Sequence, residues 1–586
     1  MAFSYKTRKE EIDRLKSGEK FDLLIIGAGI TGAGLAHQAQ KLGMKVAIVD
    51  KQDFAAGTSS RSTRLVHGGI RYLKTFDVKV VSETVSERDN LQHIAPQLVQ
   101  PDPMILPIYD EPGTTFDMFS VKVAMDLYDH LAHINETPHL KQYANYTISK
   151  DEALKRVKGL NPNHLVGAGV YLDYQDNDTR FVIEHIKKAH DEGTVAVSRL
   201  EAVKIVHNER NQVVGAEVKD VWDGGDGSKF TIHANMVVDC AGPFSDFVRV
   251  LDSNEPKEQH VRPTKGVHFV VDGSKLTVKQ PIYFGSGTND GRMIFVIPRE
   301  GKTYFGTTDT DYHGDFNHPD VTQWDVDYLL NIINSRWPEA HLTVNDIESS
   351  WSGLRPLLGS AKPKVDAATG ASKAPTADAP SSVSRGSSFT IADDGLAVLS
   401  GGKLTDHRLM AMNSLEKIID YFKEHFNEDF TWNDDIAMEP VSGGDFNPEG
   451  DIHEELEKIA KPGTSKGLTA DEAYSMASEY GTNAAKIFSY VDEGFKAYEG
   501  LSLYESLRLH YGIEEEMVLD PIDYLERRTY WITFHLEQID TVKDAVVAVI
   551  AKELNYSDDQ LAAAKKEVQE VIDARGLKDL KAKANA

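Results

Sequence analysis

One cysteine, Cys240, occurs in 586 residues. A lone thiol excludes an internal disulfide, a cysteine-ligated zinc site and an iron–sulfur cluster, and it suits a reducing cytoplasm. Positive charge is also scarce: 64 Lys and Arg stand against 91 Asp and Glu, a net charge of −27. That balance argues against a nucleic-acid partner. No apolar run reaches the ~18 residues that a membrane span needs. The segment before Phe21 is polar and reads as neither signal peptide nor anchor. The signatures HExxH, Walker A and GxSxG are missing, which removes support from metalloprotease, P-loop and hydrolase chemistry. His130 and His133 have helical spacing but no accompanying acid or cysteine set, so they read as a helix face and no metal site is expected.

What is present begins with Phe21-Asp-Leu-Leu-Ile-Ile-Gly27-Ala-Gly29-Ile-Thr-Gly32, a hydrophobic strand entering a glycine turn and a helix. A second strand, Lys45-Val-Ala-Ile-Val-Asp50, ends on an acid. Gly27 permits the tight turn, Gly29 lets the backbone approach a pyrophosphate, and Gly32 lets helix and strand pack closely. The helix N-terminus offers N–H groups to the anion, and Asp50 stands where a carboxylate accepts ribose hydroxyls. Strand, turn, helix, strand and acid in register identify a dinucleotide-binding unit.

The expected architecture is mixed α/β (α+β overall) in three parts. Residues 1–20 form an N-terminal helical extension. Residues 21–430 hold a dinucleotide-binding domain interleaved with an inserted antiparallel substrate sheet, and residues 431–586 a C-terminal helical domain. Helices are expected over 78–95 and 116–133, and strands over 195–198, 202–206, 213–218, 236–240 and within 267–308. Residues 360–388, rich in Ala, Ser, Pro, Thr, Lys and Gly, read as a surface loop between Arg355 and Lys403, a candidate gate.

Further chemistry is concentrated in a few segments. Gly57-Thr58-Ser59-Ser60-Arg61-Ser62-Thr63-Arg64 with His67-Gly68-Gly69-Ile-Arg71-Tyr72-Leu73 is a hydroxyl- and glycine-rich stretch carrying cations. It suits a pyrophosphate and a flat ring, and equally a polar surface loop. Val237-Val-Asp-Cys-Ala-Gly242 reads as a strand passing under a cofactor, with Cys240 a small core residue. His268, on an alternating strand, is by itself an ordinary structural histidine, and Arg355 and Lys403 are by themselves solvated turn charges. Gly401-Gly402 before a helix suits an anion or carbonyl site.

Together the segments Gly27–Gly32, Gly57–Thr63, His67–Leu73, Ser352-Gly-Leu-Arg-Pro-Leu357 and Gly401-Gly-Lys-Leu-Thr405 resemble the FAD-dependent glycerol-3-phosphate dehydrogenases, most closely the soluble α-glycerophosphate oxidases. The match runs in order from Phe21 to Thr405 and continues, more weakly, at Asp523–Thr529. The resemblance implies FAD as cofactor and a fold similar to that of D-amino-acid and glycine oxidases. It implies oxidation of sn-glycerol 3-phosphate to dihydroxyacetone phosphate, with O₂ reduced to H₂O₂. The alternatives are a quinone-linked, membrane-associated dehydrogenase and, further off, a flavin-binding redox sensor without turnover. Cofactor contacts implied are Gly27, Gly29, Gly32, Asp50, Thr58, Ser59, Ser60, His67, Gly68, Gly69, Val203, Gly242, Gly402, Lys403, Leu404 and Thr405. Arg71, Tyr72, Arg355 and Lys403 would hold the phosphate and substrate, since a phosphodianion needs several charge-assisted bonds. His268 would take the C2 hydroxyl proton as hydride passes to flavin N5, with Arg355 the rival for that role and the better fit for stabilising alkoxide charge. Lys403 and the helix behind Gly402 would stabilise negative charge near flavin N1 and C2=O. The helical tail offers surface for a homodimer.

Overall fold

The computed structural model describes the chain except residues 1, 71–72, 74–77, 113–115, 138–139, 254–258, 289, 360–385, 448–449 and 586. The apolar run Lys20–Ile26 lies in the middle of a parallel array, between Lys229–Asp239 on one side and Val46–Val49 on the other. Val195–Val197 and Ala397–Gly401 extend it outward, giving the order Ala397–Gly401, Lys229–Asp239, Lys20–Ile26, Val46–Val49, Val195–Val197. Strands buried on both faces read as continuous apolar runs, and Leu23, Leu24, Ile25, Val237, Val238, Ala47 and Ile48 are all fully buried here. Antiparallel pieces complete the sheet: Ser387–Ile391 at one edge and the hairpin Leu200–His207 with Val213–Asp220.

A second sheet, mostly antiparallel, is drawn from the intervening segments 65–66, 100–109, 146–175, 261–311 and 347–358. Its longest pairing joins Val261–Asp272 to Ile347–Leu358. The sequence pattern did not announce the strand Gln100–Tyr109, because Pro101, Pro103 and Pro107 interrupt it. Their ring nitrogens all face the edge that meets Ile282–Gly285, which is bridged only at Ile105, and Ile105 N–H donates to Pro281 at 2.9 Å. Proline is tolerated where no ladder bond is required.

The interleaving is as expected, and the expected helices are present over Val78–Ile94 and Met118–Leu131. Two details differ. His133 lies beyond its helix in a left-handed conformation, so it shares no helix face with His130. Ser387 and Ser388 belong to an edge strand, so the expected loop ends before them, and its residues 360–385 lie outside the described residues. The N-terminal segment forms the helix Tyr5–Lys16, which is pinned to the sheet. Arg8, buried, pairs with buried Asp220 at 2.8 Å and donates to the Ser198 carbonyl.

Helices from Ile452 to Ala584 form the C-terminal unit. Its wide helical turn Asp523–Arg528 reaches back to the loop after Asp50: Arg527 Nε and Arg528 Nη1 both donate to Asp53 Oδ2, at 2.6 and 2.8 Å. Removing one partner of a buried pair leaves the other charge uncompensated. Asp53→Ala is therefore expected to lower stability by about 3–5 kcal/mol, seen as a large drop in thermal midpoint. A drop no greater than that of an exposed Asp→Ala control would show that this contact does not hold the two parts together.

Candidate active site

The parallel register sets the site. Val398, Asp239, Ile26, Val49 and Val197 stand in one row across the sheet. The chain therefore leaves the sheet along one line, at Gly27–Gly29, Asp50–Gln52 and Cys240–Gly242. Gly27 has φ +104°, and a Cβ there would lie 2.8 Å from the Cys240 carbonyl. Gly32 sits so near Gly27 that a Cβ would come within 2.0 Å of its oxygen. Asp50 accepts from Ala28 N–H and Gln52 N–H, each at 2.8 Å. Burial raises its pKa to about 6 despite those two bonds. Ser59 Oγ accepts from Ile30 N–H at 2.9 Å and so caps the helix Ile30–Lys41, whose own cap residue is Gly29.

These turns form one wall of a cleft of about 560 Å³ that continues to the second sheet. Its lining includes Gly27, Gly29, Asp50, Thr58, Ser59, His67, Gly242, His268, Arg355, Gly402, Lys403, Leu404 and Thr405. Other expected residues stand behind the wall. Gly68 N–H donates to Tyr128 Oη at 2.8 Å, and a Cβ on Gly68 would strike that hydroxyl, so this glycine is needed for packing. Gly32, Ser60 and Gly69 also fall outside the lining, and Val203 is the extra residue of a bulge beside the lining residue Ala202. Arg71 and Tyr72 lie outside the described residues.

Two strands of the second sheet carry the polar end. Thr264 pairs with Arg355, Gly266 with Gly353 and His268 with Trp351, so alternation places Thr264, Gly266 and His268 on one face with Arg355, Gly353 and Trp351. Gly266 makes room for the guanidinium, which a Cβ would meet at 2.4 Å. Arg355 is held by Asp309 Oδ1 at 3.2 Å and Thr307 Oγ1 at 3.1 Å. His268 is buried, stacks on Trp351 at 4.7 Å and faces Thr63 Oγ1 at 3.1 Å through Nε2. Burial first, then Arg355 and Arg64, lower its pKa well below the ordinary histidine value. At the opposite wall Lys403 precedes the short turn Leu404–Asp406 that leads into the helix His407–Phe426. Leu404 and Thr405 are its first residues, where amides have no acceptor within the helix.

Residues 22–398 match the family described as FAD dependent oxidoreductase. The chain belongs to that family. Residues 437–561 of this FAD-dependent oxidoreductase match the C-terminal domain of alpha-glycerophosphate oxidase. It is 48% identical to an alpha-glycerophosphate oxidase of Lactococcus lactis, over 99% of this chain and 100% of the relative. To that of Enterococcus casseliflavus it is 46% identical, over 99% of each. A solved glycerol-3-phosphate dehydrogenase from Bacillus halodurans, complexed with FAD, is similar at 31% identity and a TM-score of 0.78, with 98% of each chain covered.

The residues present fit FAD. The Gly27–Gly29 turn brings bare backbone to the helix N-terminus, Asp50 offers a carboxylate, and Leu404 and Thr405 offer amides at the far wall. Sequence reasoning missed Trp351 and Tyr304, which surround His268 together with Thr63 of the hydroxyl-rich stretch. Trp351 stands next to the quoted Ser352–Leu357 motif, and its position two residues from Gly353 was the available signal. Cys240 is buried with its thiol pKa raised by burial and by Asp239, as a core residue should be.

An Asp50 that accepts ribose hydroxyls would make cofactor affinity depend on pH. Those hydroxyls donate to an ionised carboxylate, so binding would favour the deprotonated form of a group with pKa about 6 and release protons near that pH. FAD affinity, measured by titrating the apoprotein, is expected to rise from about pH 5 to about pH 7, and Asp50→Asn to flatten the rise. An equal slope in Asp50→Asn would assign it to another group.

Proposed function

We propose that this chain is an α-glycerophosphate oxidase, converting sn-glycerol 3-phosphate and O₂ to dihydroxyacetone phosphate and H₂O₂. The observation that carries the reading is full-length similarity to proteins of that name, C-terminal domain included, in a chain whose cleft gathers His268, Arg355 and Lys403. Bound FAD supplies the two-electron acceptor for the C2 hydride and the route by which the electrons reach O₂.

The chain's own residues do the rest. His268, kept neutral by burial and by the neighbouring arginines, has the lone pair that a base requires. The same cations that suppress its protonation in the free protein are offset by the phosphodianion when substrate enters, so its basicity rises when it is needed. Arg355, permanently charged and fixed by Asp309 and Thr307, attracts the phosphate and steadies negative charge on the substrate oxygen. Arg71 and Tyr72 complete the phosphate group in this reading. Lys403, with the positive end of the helix His407–Phe426, stabilises charge on the reduced cofactor. No described helix is long and apolar enough to cross a membrane, and the reading places the chain in the cytoplasm, in keeping with its single buried thiol.

His268→Ala is expected to cut turnover by ~10²–10⁴-fold with FAD retained, and near-normal turnover would remove histidine from the mechanism. Arg355→Ala should raise KM as well as lower kcat, and an unchanged KM would count against a phosphate contact. A quinone-linked dehydrogenase is the second reading, favoured by the name of the similar Bacillus halodurans structure. Anaerobic mixing with sn-glycerol 3-phosphate followed by air separates the two. Bleaching with rapid reoxidation and stoichiometric H₂O₂ identifies the oxidase, and sluggish reoxidation the dehydrogenase. Absence of bleaching refutes the substrate.

A further inference from the structure

Three buried histidines behind the Leu404 wall form one hydrogen-bonded line. His37 lies on the helix Ile30–Lys41, His185 on Asp178–Asp191, and His407 opens His407–Phe426. His407 Nδ1 meets the Leu404 carbonyl at 2.8 Å, and its Nε2 meets His185 Nε2 at 2.9 Å. His185 Nδ1 meets His37 Nδ1 at 2.9 Å, and His37 Nε2 lies 3.6 Å from Glu439 Oε2. The surroundings fit these rings closely. Phe181 stacks on His185 at 5.0 Å and meets His407 edge-on at 5.1 Å. Gly34 leaves space for His407, whose ring a Cβ would approach to 2.8 Å.

The proton on each nitrogen follows from the ends of the line. A carbonyl only accepts, so His407 Nδ1 carries a hydrogen. Burial lowers the His407 pKa to about 4, although the Leu404 carbonyl opposes the shift. Burial, then His407 and His37, lower that of His185 well below its ordinary value. Both rings are therefore neutral near pH 7, with one N–H each. It follows that His185 Nε2 donates to His407 Nε2, and His37 Nδ1 donates to His185 Nδ1. The remaining nitrogen, His37 Nε2, faces Glu439. Burial works against ionisation of Glu439, yet His37, Lys41 and Lys188 overcome it and hold its pKa down to about 2. His37 is thus the tail of the line, and its Nε2 is the nitrogen that faces the Glu439 carboxylate. Other charges nearby are Lys41 and Lys188, 2.6 and 3.4 Å from Glu439 Oε1, Glu192, 4.0 and 3.4 Å from those two lysines, Asp445 near Lys188, and Arg408, which is paired with Glu87 beside His407.

The N–H groups of His37 Nδ1, His185 Nε2 and His407 Nδ1 then all point toward Leu404. The Leu404 carbonyl and the Thr405 N–H belong to one peptide group. Donation onto the oxygen draws density from the nitrogen and makes the N–H a stronger donor, as in any chain of polarising hydrogen bonds. We propose that Glu439, His37, His185 and His407 are positioning residues that fix and polarise the Leu404–Thr405 peptide, strengthening the donor this wall presents to the flavin's pyrimidine edge. The proposal rests on the reading that this wall holds the flavin. None of the four residues lines the cleft.

The test is the midpoint potential of the FAD-loaded protein, taken by dye-equilibrated reduction without glycerol 3-phosphate. In Glu439→Gln the rings keep their places but His37 Nε2 no longer faces a carboxylate. The expected result is a roughly tenfold weaker preference for reduced over oxidised flavin, about 30 mV for a two-electron couple. The sign is decisive, because simple through-space loss of a negative charge raises the potential. His185→Phe should lower it too. His185→Gln, whose amide can accept from His37 and donate to His407, should restore it. An unchanged or raised potential in Glu439→Gln at full FAD content overturns the proposal. Should His185→Phe fail to fold, nitrogen-15 spectra of the apoprotein imidazoles decide independently. Protonation at Nδ1 alone in His407 and at Nε2 alone in His185 supports the line, and the opposite tautomers refute it. A wild-type protein that glycerol 3-phosphate does not bleach removes the substrate reading but leaves the potential shift to be read.

Discussion

The parallel register of Lys20–Ile26 between two neighbours is the constraint on which the site depends. Gly27 N–H donates to Val49 O and Cys240 N–H to Ile26 O, each at 2.8 Å. Those two bonds end three strands at one level, so that a glycine turn, an acid and a second small-residue turn meet at one sheet edge. Close approach there is possible only because Gly27 and Gly32 have no side chains to collide with Cys240 and with each other. A shift of one residue would exchange the side chains packed on the two buried faces and separate the acid from the turn.

A second constraint joins this edge to the substrate sheet. Thr58 Oγ1 donates to Leu354 O at 2.6 Å, and Trp351 Nε1 to Ser62 O at 3.0 Å, tying the hydroxyl-rich loop to the strand that carries Arg355. The C-terminal helices close the arrangement from behind. Arg64, buried in that loop, lies against the rings of Trp351, Tyr530 and Phe534, at 4.6, 4.0 and 4.8 Å from their centroids. Tyr530 Oη donates to Asp178, which in turn accepts from Ser62. The C-terminal domain thus braces the hydroxyl-rich loop although none of its described residues lines the cleft.

Electrostatics in the cleft follow from burial more than from specific pairs. Asp50 moves up and His268 down for the same reason, loss of water around the charged form. Each is thereby left responsive to what enters: the acid to hydrogen-bond donors, the imidazole to nearby negative charge. The histidine line behind Leu404 has the same origin. His185 and His407 stay neutral because they are buried, and that neutrality gives the line one direction.

The sequence by itself determined the dinucleotide unit, because glycine spacing, an apolar strand and a terminal acid are all local in the chain. It also determined the interleaving, since strand and helix periodicities change along the chain, whereas His268, Arg355 and Lys403 were singled out by family resemblance and not by the residues themselves. Tertiary structure alone decided which of the quoted residues face the cleft. Gly68 and Ser59 look alike in the sequence, yet one is consumed by Tyr128 and the other caps a helix at the cavity wall. The line from Glu439 to Leu404 was illegible for the same reason. Its three histidines stand on separate helices and Glu439 on a connecting segment, hundreds of residues apart in places, and no local pattern records which rings meet when helices pack.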